Sequence, residues 1–460
     1  MTKVFRNTPY DQLEIGMVAE VHRLCAADDF FIFANSSGNL NPMHLPHLDG
    51  DDNGQNEAFA PALWLASLIS AVLGNELPGP GTLYHSQSLT FYARAQAGDQ
   101  LVARVKLTEK REDNLVVFET QVSSSNGTLL VDGEAVVIAP SKDLSFEAVE
   151  VPGLTLQSHV HFDQMIEQAR PLAPLKTAVI CPEEPNSLGG ALLAMEDTLI
   201  APILIGDAAL IHDTAKELGK SLDGAEIIDV SDHHAAASMG VLLVNEGRAH
   251  ALMKGHMHTD VLLGQVVKRE GGLRTGRRLS HIFVMDVPGL PNLLLVSDAA
   301  INIAPDLETK VSIIQNAIDL AVSIGIEMPK VGVLSAVETV NPKMPSTLDA
   351  AALSKMAERG QIKGGVVDGP LAMDNAIDMG AARTKGIKSL VAGQADILIP
   401  PNIESANMLA KELTFVAHAE GGGIVMGAKC PIILTSRSDN DKTRLASCAV
   451  AALYVESLRR

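Results

Sequence analysis

The sequence predicts two unlike domains in series: an α+β domain over residues 1–145 and, past a linker at 146–160, an α/β region of two lobes over 161–460. Three observations carry this. At 460 residues the chain is longer than one ordinary domain, and its 47% hydrophobic content is ample for more than one core. The hydrophobic pattern changes near residue 160, from one apolar helix followed by turn-linked strands to strands alternating with helices. Two apolar runs of the second region, 365–367 and 431–434, stop abruptly in polar residues, and the carboxyl ends of strands are where open α/β sheets bind ligands.

In the first region the helix is expected from Ala58 to Gly74, on the apolar spacing of Trp64, Leu65, Leu68 and Ile69. Strands are expected at 82–93, 100–110, 115–123 and 128–138. The turns between them carry Gly98-Asp99, Asp113-Asn114 and Asn126-Gly127, and Asn-Gly between apolar runs is a strong hairpin signal. The polar stretch 141–150, bracketed by Pro140 and Pro152, reads as linker.

In the second region strands are expected at 177–181, 201–205, 226–230, 250–253, 282–285, 293–296, 330–334, 365–367, 397–399 and 431–434, with helices at 308–324, 346–359 and 405–413 among them. This alternation implies mostly parallel sheet covered by helices. Three hundred residues is large for one doubly wound sheet, so two lobes are expected: the first from about 161–302 and 436–460, the second from about 303–435. Gly421-Gly422-Gly423 has neither a P-loop Lys-Ser/Thr nor GxGxxG and reads as a flexible turn. Asn186 to Gly190 matches no dinucleotide fingerprint, so no NAD site is expected.

Charge and cysteine use narrow the functional classes. A net charge of −19 and a pI of about 5.1 argue against general binding to nucleic acid or anionic membranes. Cys25, Cys181, Cys430 and Cys448 form no CxxC and fit free thiols in a reducing cytoplasm. No apolar run reaches the roughly 18 residues of a membrane span, and the first ten residues hold no apolar signal core. No metal site is expected: His233, His234, His256 and His258 show no third ligand at convincing spacing, and no cysteine is expected nearby.

The strongest local signal is the pair of segments Val366–Asn375, with Asp368, Gly369 and Pro370, and Leu434–Asp439, with Ser436 and Arg437. Each follows a buried-strand pattern. An Arg beside a hydroxyl at the start of a helix, here from about Asp441, suits an anionic group. The same residues also read as a simple helix cap.

From Lys176 onward the chain resembles the phosphate acetyl- and butyryltransferases. The resemblance rests on Leu252-Met-Lys-Gly255, Leu273-Arg-Thr-Gly-Arg-Arg-Leu-Ser-His281, Ser297-Asp-Ala-Ala-Ile-Asn302, Asp368-Gly-Pro-Leu371, Val391-Ala-Gly-Gln-Ala-Asp396 and Thr435-Ser-Arg437, in family order. The Lys-Gly and Arg-Thr-Gly segments look more like the butyryl branch. The resemblance implies an isocitrate/isopropylmalate dehydrogenase-like two-lobed architecture, a homodimer, acyl-CoA and phosphate as substrates, and no cofactor. It implies that Ser436 donates a hydrogen bond or relays a proton and that Arg437 binds the acyl-phosphate group. The acetyl branch has an Asp seven residues after the Ser; Thr443 stands there, so Asp439 is the nominated thiol base, with helix capping its other reading. Arg274 is the expected second anchor, with Arg277 and Lys254 next, and Asp368 either binds substrate or orients its loop.

Residues 28–44 resemble the MaoC-like (R)-specific enoyl-CoA hydratases, which have a hot-dog fold. That family activates water with an Asp and a His five residues apart; here His44 is present but the Asp position is Asn39. An amide orients water but cannot take its proton at neutral pH. The usual His-Gly at the helix start reads Pro61-Ala62, with the Ala62 amide still available as an oxyanion donor. The expectation is a phosphate acyltransferase carrying a hot-dog domain of reduced or absent hydratase activity. The alternatives are a bifunctional enzyme and an acyl-CoA-binding regulatory protein.

Overall fold

A computed structural model describes residues 4–46, 48–54, 57–147, 159–434 and 441–459. The chain divides into two compact units, 1–156 and 157–460.

The first unit contains β1 (Val4–Arg6), β2 (Val18–Leu24), α1 (Ala27–Ser37), α2 (Ala62–Asn75), β3 (Leu83–Gln87), β4 (Thr90–Phe91), β5 (Gln100–Lys110), β6 (Leu115–Ser124), β7 (Leu129–Ile138) and β8 (Ser145–Glu147). Its main sheet runs β2-β5-β6-β7-β3, with β4 also on β7, and every pairing is antiparallel. Along β5, Leu101, Ala103, Val105 and Leu107 are buried at every second position. They pack against the apolar face of α2: Trp64, Leu65, Leu68, Ile69, Val72 and Leu73. Burying each large side chain of that face contributes roughly 1.5–3 kcal/mol. A long apolar helix cradled by an antiparallel sheet is the hot-dog arrangement.

Three details differ from expectation. The strands β1 and β2 lie where none was expected, and β2 forms an edge of the main sheet on β5. The helix α1 is additional; it buries only Phe30 and Ala34, too narrow a stripe to register as periodicity. Residues 145–147, inside the stretch read as linker, form β8 and pair with β1.

The second unit runs α3 (Val160–Ala169), β9 (Leu175–Ile180), α4 (Pro185–Glu196), β10 (Ile200–Gly206), α5 (Ala208–Leu218), β11 (Glu226–Asp229), α6 (His233–Asn245), β12 (Ala251–Lys254), α7 (Thr259–Val266), β13 (Ser280–Asp286), β14 (Leu294–Ser297), α8 (Leu307–Ser323), β15 (Lys330–Leu334), α9 (Pro345–Glu358), β16 (Val366–Leu371), α10 (Met373–Ile377), α11 (Met379–Thr384), β17 (Ile397–Ile399), α12 (Ile403–Phe415), β18 (Glu420–Met426), β19 (Ile432–Ile433) and α13 (Asp441–Ser457). One sheet of 11 strands holds them together in the order β11-β10-β9-β12-β19-β18-β13-β14-β17-β15-β16. Two parallel blocks, β11-β10-β9-β12-β19 and β14-β17-β15-β16, are joined through the antiparallel pairings β19-β18, β18-β13 and β13-β14. That is an odd number of reversals, so the two blocks run in opposite directions.

The glycine run read as a flexible turn is instead part of β18, in the middle of this sheet. Closeness to neighbours demands it: a Cβ at Gly421 would stand 2.8 Å from Met285 Sδ, and one at Gly423 would stand 2.7 Å from the Leu434 carbonyl oxygen. The C-terminal helix α13 buries Ala446, Cys448, Ala449, Val450 and Ala452 and packs against α3, α4 and β18.

Candidate active site

The first parallel block is wound from its centre. The chain passes outward from β9 to β10 to β11, then returns to place β12 on the other side of β9. The carboxyl ends of β9 and β12 therefore flank a topological switch point, the expected ligand crevice of an open α/β sheet. Local sequence builds its rim. Asp207 caps α5 by accepting from the Ala209 and Leu210 amides, and Asp232 caps α6 by accepting from the Ala235 amide. Gly255 lets the chain after β12 approach β9 closely, since a Cβ there would lie 2.2 Å from the Cys181 carbonyl oxygen. Lys254 Nζ donates to the carbonyls of Gly255 (3.1 Å) and Met257 (3.3 Å), so the expected anchor is turned onto its own loop.

This rim also gathers residues that the sequence reading kept apart. Glu184 lies 2.8 Å from His256 Nε2, and Glu183 lies 3.4 Å from His233 Nε2. Cys181 stands with Glu183 and His233, so His233 does have both a carboxylate and a cysteine beside it. Burial, with the charges of Glu183 and Asp232, pushes the Cys181 thiol up to about 12. All three residues lie at or just past the carboxyl end of a strand, which is the signal that links them.

At the opposite, amino end of β12, where β13 begins and β18 ends, a cavity of about 430 Å³ is lined by Arg274, Arg277 and Arg278, with Leu263, Ile301 and Asn302 among its other walls. Arg277 is ion-paired with Asp319. Among the described residues, Arg274 and Arg278 have no ion-pair partner. Arg278, absent from the expected site, is thus the better-placed neighbour of Arg274. The Ile301–Asn302 wall hangs on Asp298, a buried carboxylate. Asp298 Oδ1 accepts from the amides of His281 (3.1 Å), Ala300 (3.0 Å) and Ile301 (3.1 Å). Its Oδ2 accepts from the Asn302 amide at 2.9 Å and from the Asn302 side chain. Beside it, His281 is fully buried, and desolvation lowers its pKa to about 4 against the pull of Asp298. Its imidazole is therefore neutral at pH 7, and its Nδ1 has no hydrogen-bond partner among the described residues.

Ser436, Arg437 and Asp439 lie outside the described residues. On one side the chain is described to Leu434, whose amide donates to the Gly423 carbonyl at 3.2 Å, and on the other it resumes at Asp441 in α13. Thr443 is buried in the first turns of α13. Because β19 is the parallel neighbour of β12, Leu434 leaves the sheet at the same end as Lys254. Asp368 is not brought to this group. It lies on the far edge strand β16, in the oppositely running block, and accepts from the Gly369 amide at 2.8 Å and from Ser354 Oγ at 3.4 Å.

In the first unit, His44 Nδ1 lies 2.9 Å from the Phe59 carbonyl oxygen. That contact assigns the proton to Nδ1 and leaves Nε2 as a lone pair. Three residues on from Phe59, α2 begins at Ala62 after Pro61 with no side-chain cap, which leaves first-turn amides available. Asn39 Oδ1 accepts from the Asn41 amide at 3.2 Å, closing a local turn.

An α/β fold with an arginine-lined cavity suits an anionic, partly apolar ligand. Residues 232–452 match the family described as "Phosphate acetyl/butaryl transferase". The chain is similar to the phosphate acetyltransferase of Rhizobium meliloti, at 57% identity over 298 residues, 65% of this chain and 94% of that one. It is also similar to the phosphate butyryltransferase of Clostridium beijerinckii, at 43% identity over 293 residues, 64% of this chain and 97% of that one. Among solved structures it resembles a branched-chain phosphotransacylase from Enterococcus faecalis V583, with 32% identity, a TM-score of 0.54, and coverage of 61% of this chain and 99% of that one. The chain belongs to the phosphate acetyl/butyryltransferase family.

Proposed function

We propose that the second unit catalyses acyl-CoA + phosphate ⇌ acyl phosphate + CoA by direct attack, with a short-chain acyl group. Phosphate acyltransferase activity follows from family membership; the assignment of steps to residues is the proposal. A phosphate oxygen attacks the thioester carbonyl carbon, the C–S bond breaks, and the CoA thiolate leaves and takes a proton. Arg437 holds the phosphate through its planar fork, and Ser436 donates to the oxygen that gains charge. Asp439 is the nominated proton acceptor when the thiol attacks in the reverse direction.

The observation that carries this reading is the arginine-lined cavity of about 430 Å³ in a chain of net charge −19. Arg274 and Arg278 supply the positive charge for the phosphates of CoA, and the apolar wall faces its carbon chain. Among the described residues, no helix is long and apolar enough to cross a membrane. The described cysteines are free and buried, which fits a reducing cytoplasm. We further infer two lobes of the isocitrate/isopropylmalate dehydrogenase-like kind, and at least a dimer.

The test is phosphate-dependent release of CoA thiol from acetyl-, propionyl- and butyryl-CoA, with Ser436→Ala and Arg437→Ala as controls. Release lost in both variants supports the assignment and ranks the acyl groups. Wild-type rates in both variants would sink the assigned roles.

A second reading concerns the first unit. His44 keeps a free Nε2 near the start of α2, while Asn39 is occupied by its own turn. The unit is therefore a hot-dog domain with hydratase activity reduced to what His44 alone supports, or with acyl-CoA binding only.

A further inference from the structure

We propose that Cys181, Glu183 and His233 form a binding site for a divalent transition-metal ion of the zinc class. The thiol sulfur, a carboxylate oxygen and a ring nitrogen all lie within 4.8 Å of one another. The Glu183 Oε2–His233 Nε2 distance is 3.4 Å. Two ligands held about 2.1 Å from a tetrahedral ion stand about 3.4 Å apart, so an ion fits between them with little movement. Sulfur and imidazole select zinc and its neighbours over calcium and magnesium, which prefer oxygen. Binding sends the thiol proton to solvent. Thiolate and carboxylate together then carry two negative charges, which the ion neutralises.

The surroundings hold the donors in place. Cys181 has φ +52°, a left-handed conformation that a non-glycine residue adopts at a cost of about 1–3 kcal/mol. It is fixed there by its amide to the Ile205 carbonyl and by its carbonyl from the His256 amide, both at 2.7 Å. Glu183 Oε1 accepts from the Asp207 amide at 2.9 Å, which leaves Oε2 toward His233. Ligating carboxylates in metal sites are commonly anchored this way. Gly206 makes room for that anchor, since a Cβ there would lie 2.7 Å from Glu183 Oε1. Cys181 is buried, whereas the His233 side chain is 43% exposed. Three protein ligands with one solvent-facing side leave a fourth position open to water or a small anion. The site stands at the end of β9, on one flank of the switch point, and is separate from the arginine-lined cavity. The competing account is a bare Glu183–His233 ion pair above an inert thiol.

The test uses the full chain, stripped with a chelator and titrated with zinc against a chromophoric competitor, then with cobalt followed by absorption. The expected result is one tight ion per chain, with a near-ultraviolet band from thiolate-to-cobalt charge transfer. Cys181→Ser should lose that band. His233→Ala, a partly exposed position that folding should tolerate, should weaken zinc binding at least about tenfold. Cys430→Ser should change neither reading. No thiolate band in the wild type, or unchanged zinc affinity in His233→Ala, would overturn the proposal.

Discussion

The two units present two ways of assembling a site. In the first, Asn39, His44 and Ala62 come from one short stretch of chain, and the contact between His44 and Phe59 spans 15 residues. In the second, the crevice draws on the ends of β9, β10, β11, β12 and β19, spread from Cys181 to Leu434. A local site is vulnerable to one substitution: Asn39 stands where the resemblance implies an Asp, and an amide cannot serve as a base. A distributed site depends on the sheet register that aligns its parts, so its weak points are the buried groups that fix the register.

The comparison breaks if the units are chemically coupled. Arg437→Ala or Ser436→Ala should lower phosphate-dependent CoA release by about 10²–10³-fold, the usual cost of removing a preorganised charge-stabilising donor. Crotonyl-CoA hydration and binding should stay as in the wild type, and a parallel loss in both assays would refute independence. In the other direction, Asn39→Asp should raise crotonyl-CoA hydration about 10²-fold, the low end of general-base catalysis, with acyl transfer untouched. A fast wild-type hydratase abolished by His44→Ala would show that the local site was never impaired.

Smaller effects sharpen the distributed side. Asp298→Asn turns an acceptor of several amide hydrogen bonds into a group with one acceptor oxygen. It should cost about 2–3 kcal/mol in urea unfolding of the second unit. Arg274→Ala should raise the KM for acyl-CoA about tenfold with little change in kcat, the signature of lost ground-state binding; a kcat effect alone would place Arg274 in the chemistry instead. The last test concerns pH. His281 titrates near 4 in the folded chain, below the ordinary 6.5, so the unfolded chain takes up this proton first as pH falls. The His281 contribution is complete above about pH 6.5 and is lost toward pH 4, at up to about 1.4 kcal/mol per unit. Urea midpoints against pH should show this slope, and His281→Gln should flatten it.

Much of the second unit was legible because buried parallel strands are short apolar runs, and every strand expected there has its counterpart in the 11-stranded sheet. The β18 glycines were not. Glycine has low strand propensity, and only the closeness of Met285 and Leu434 explains why nothing larger fits. The site was legible in parts. The Arg274 segment does line a cavity, but nothing local to Arg277, the next-ranked anchor, shows Asp319 claiming it from a helix 42 residues away. Cys181, Glu183 and His233 escaped because metal spacing was sought along the chain, whereas sheet winding brings them together. In the first unit β3 to β7 and α2 were clear from alternation and turn chemistry, while β2, with no buried residue, and α1, with only two, offered too little apolar pattern.

The sheet order has a consequence for synthesis. The strands β18 and β19 are made after all the strands around them, yet they occupy the middle of the sheet, between β12 and β13. Until they emerge from the ribosome, β12 and β13 each present an unpaired edge to the cell. Such edges are templates for association with other chains. The nascent second unit must therefore wait, half built around a missing centre, and shielding by a chaperone would matter most until β18 and β19 have been made.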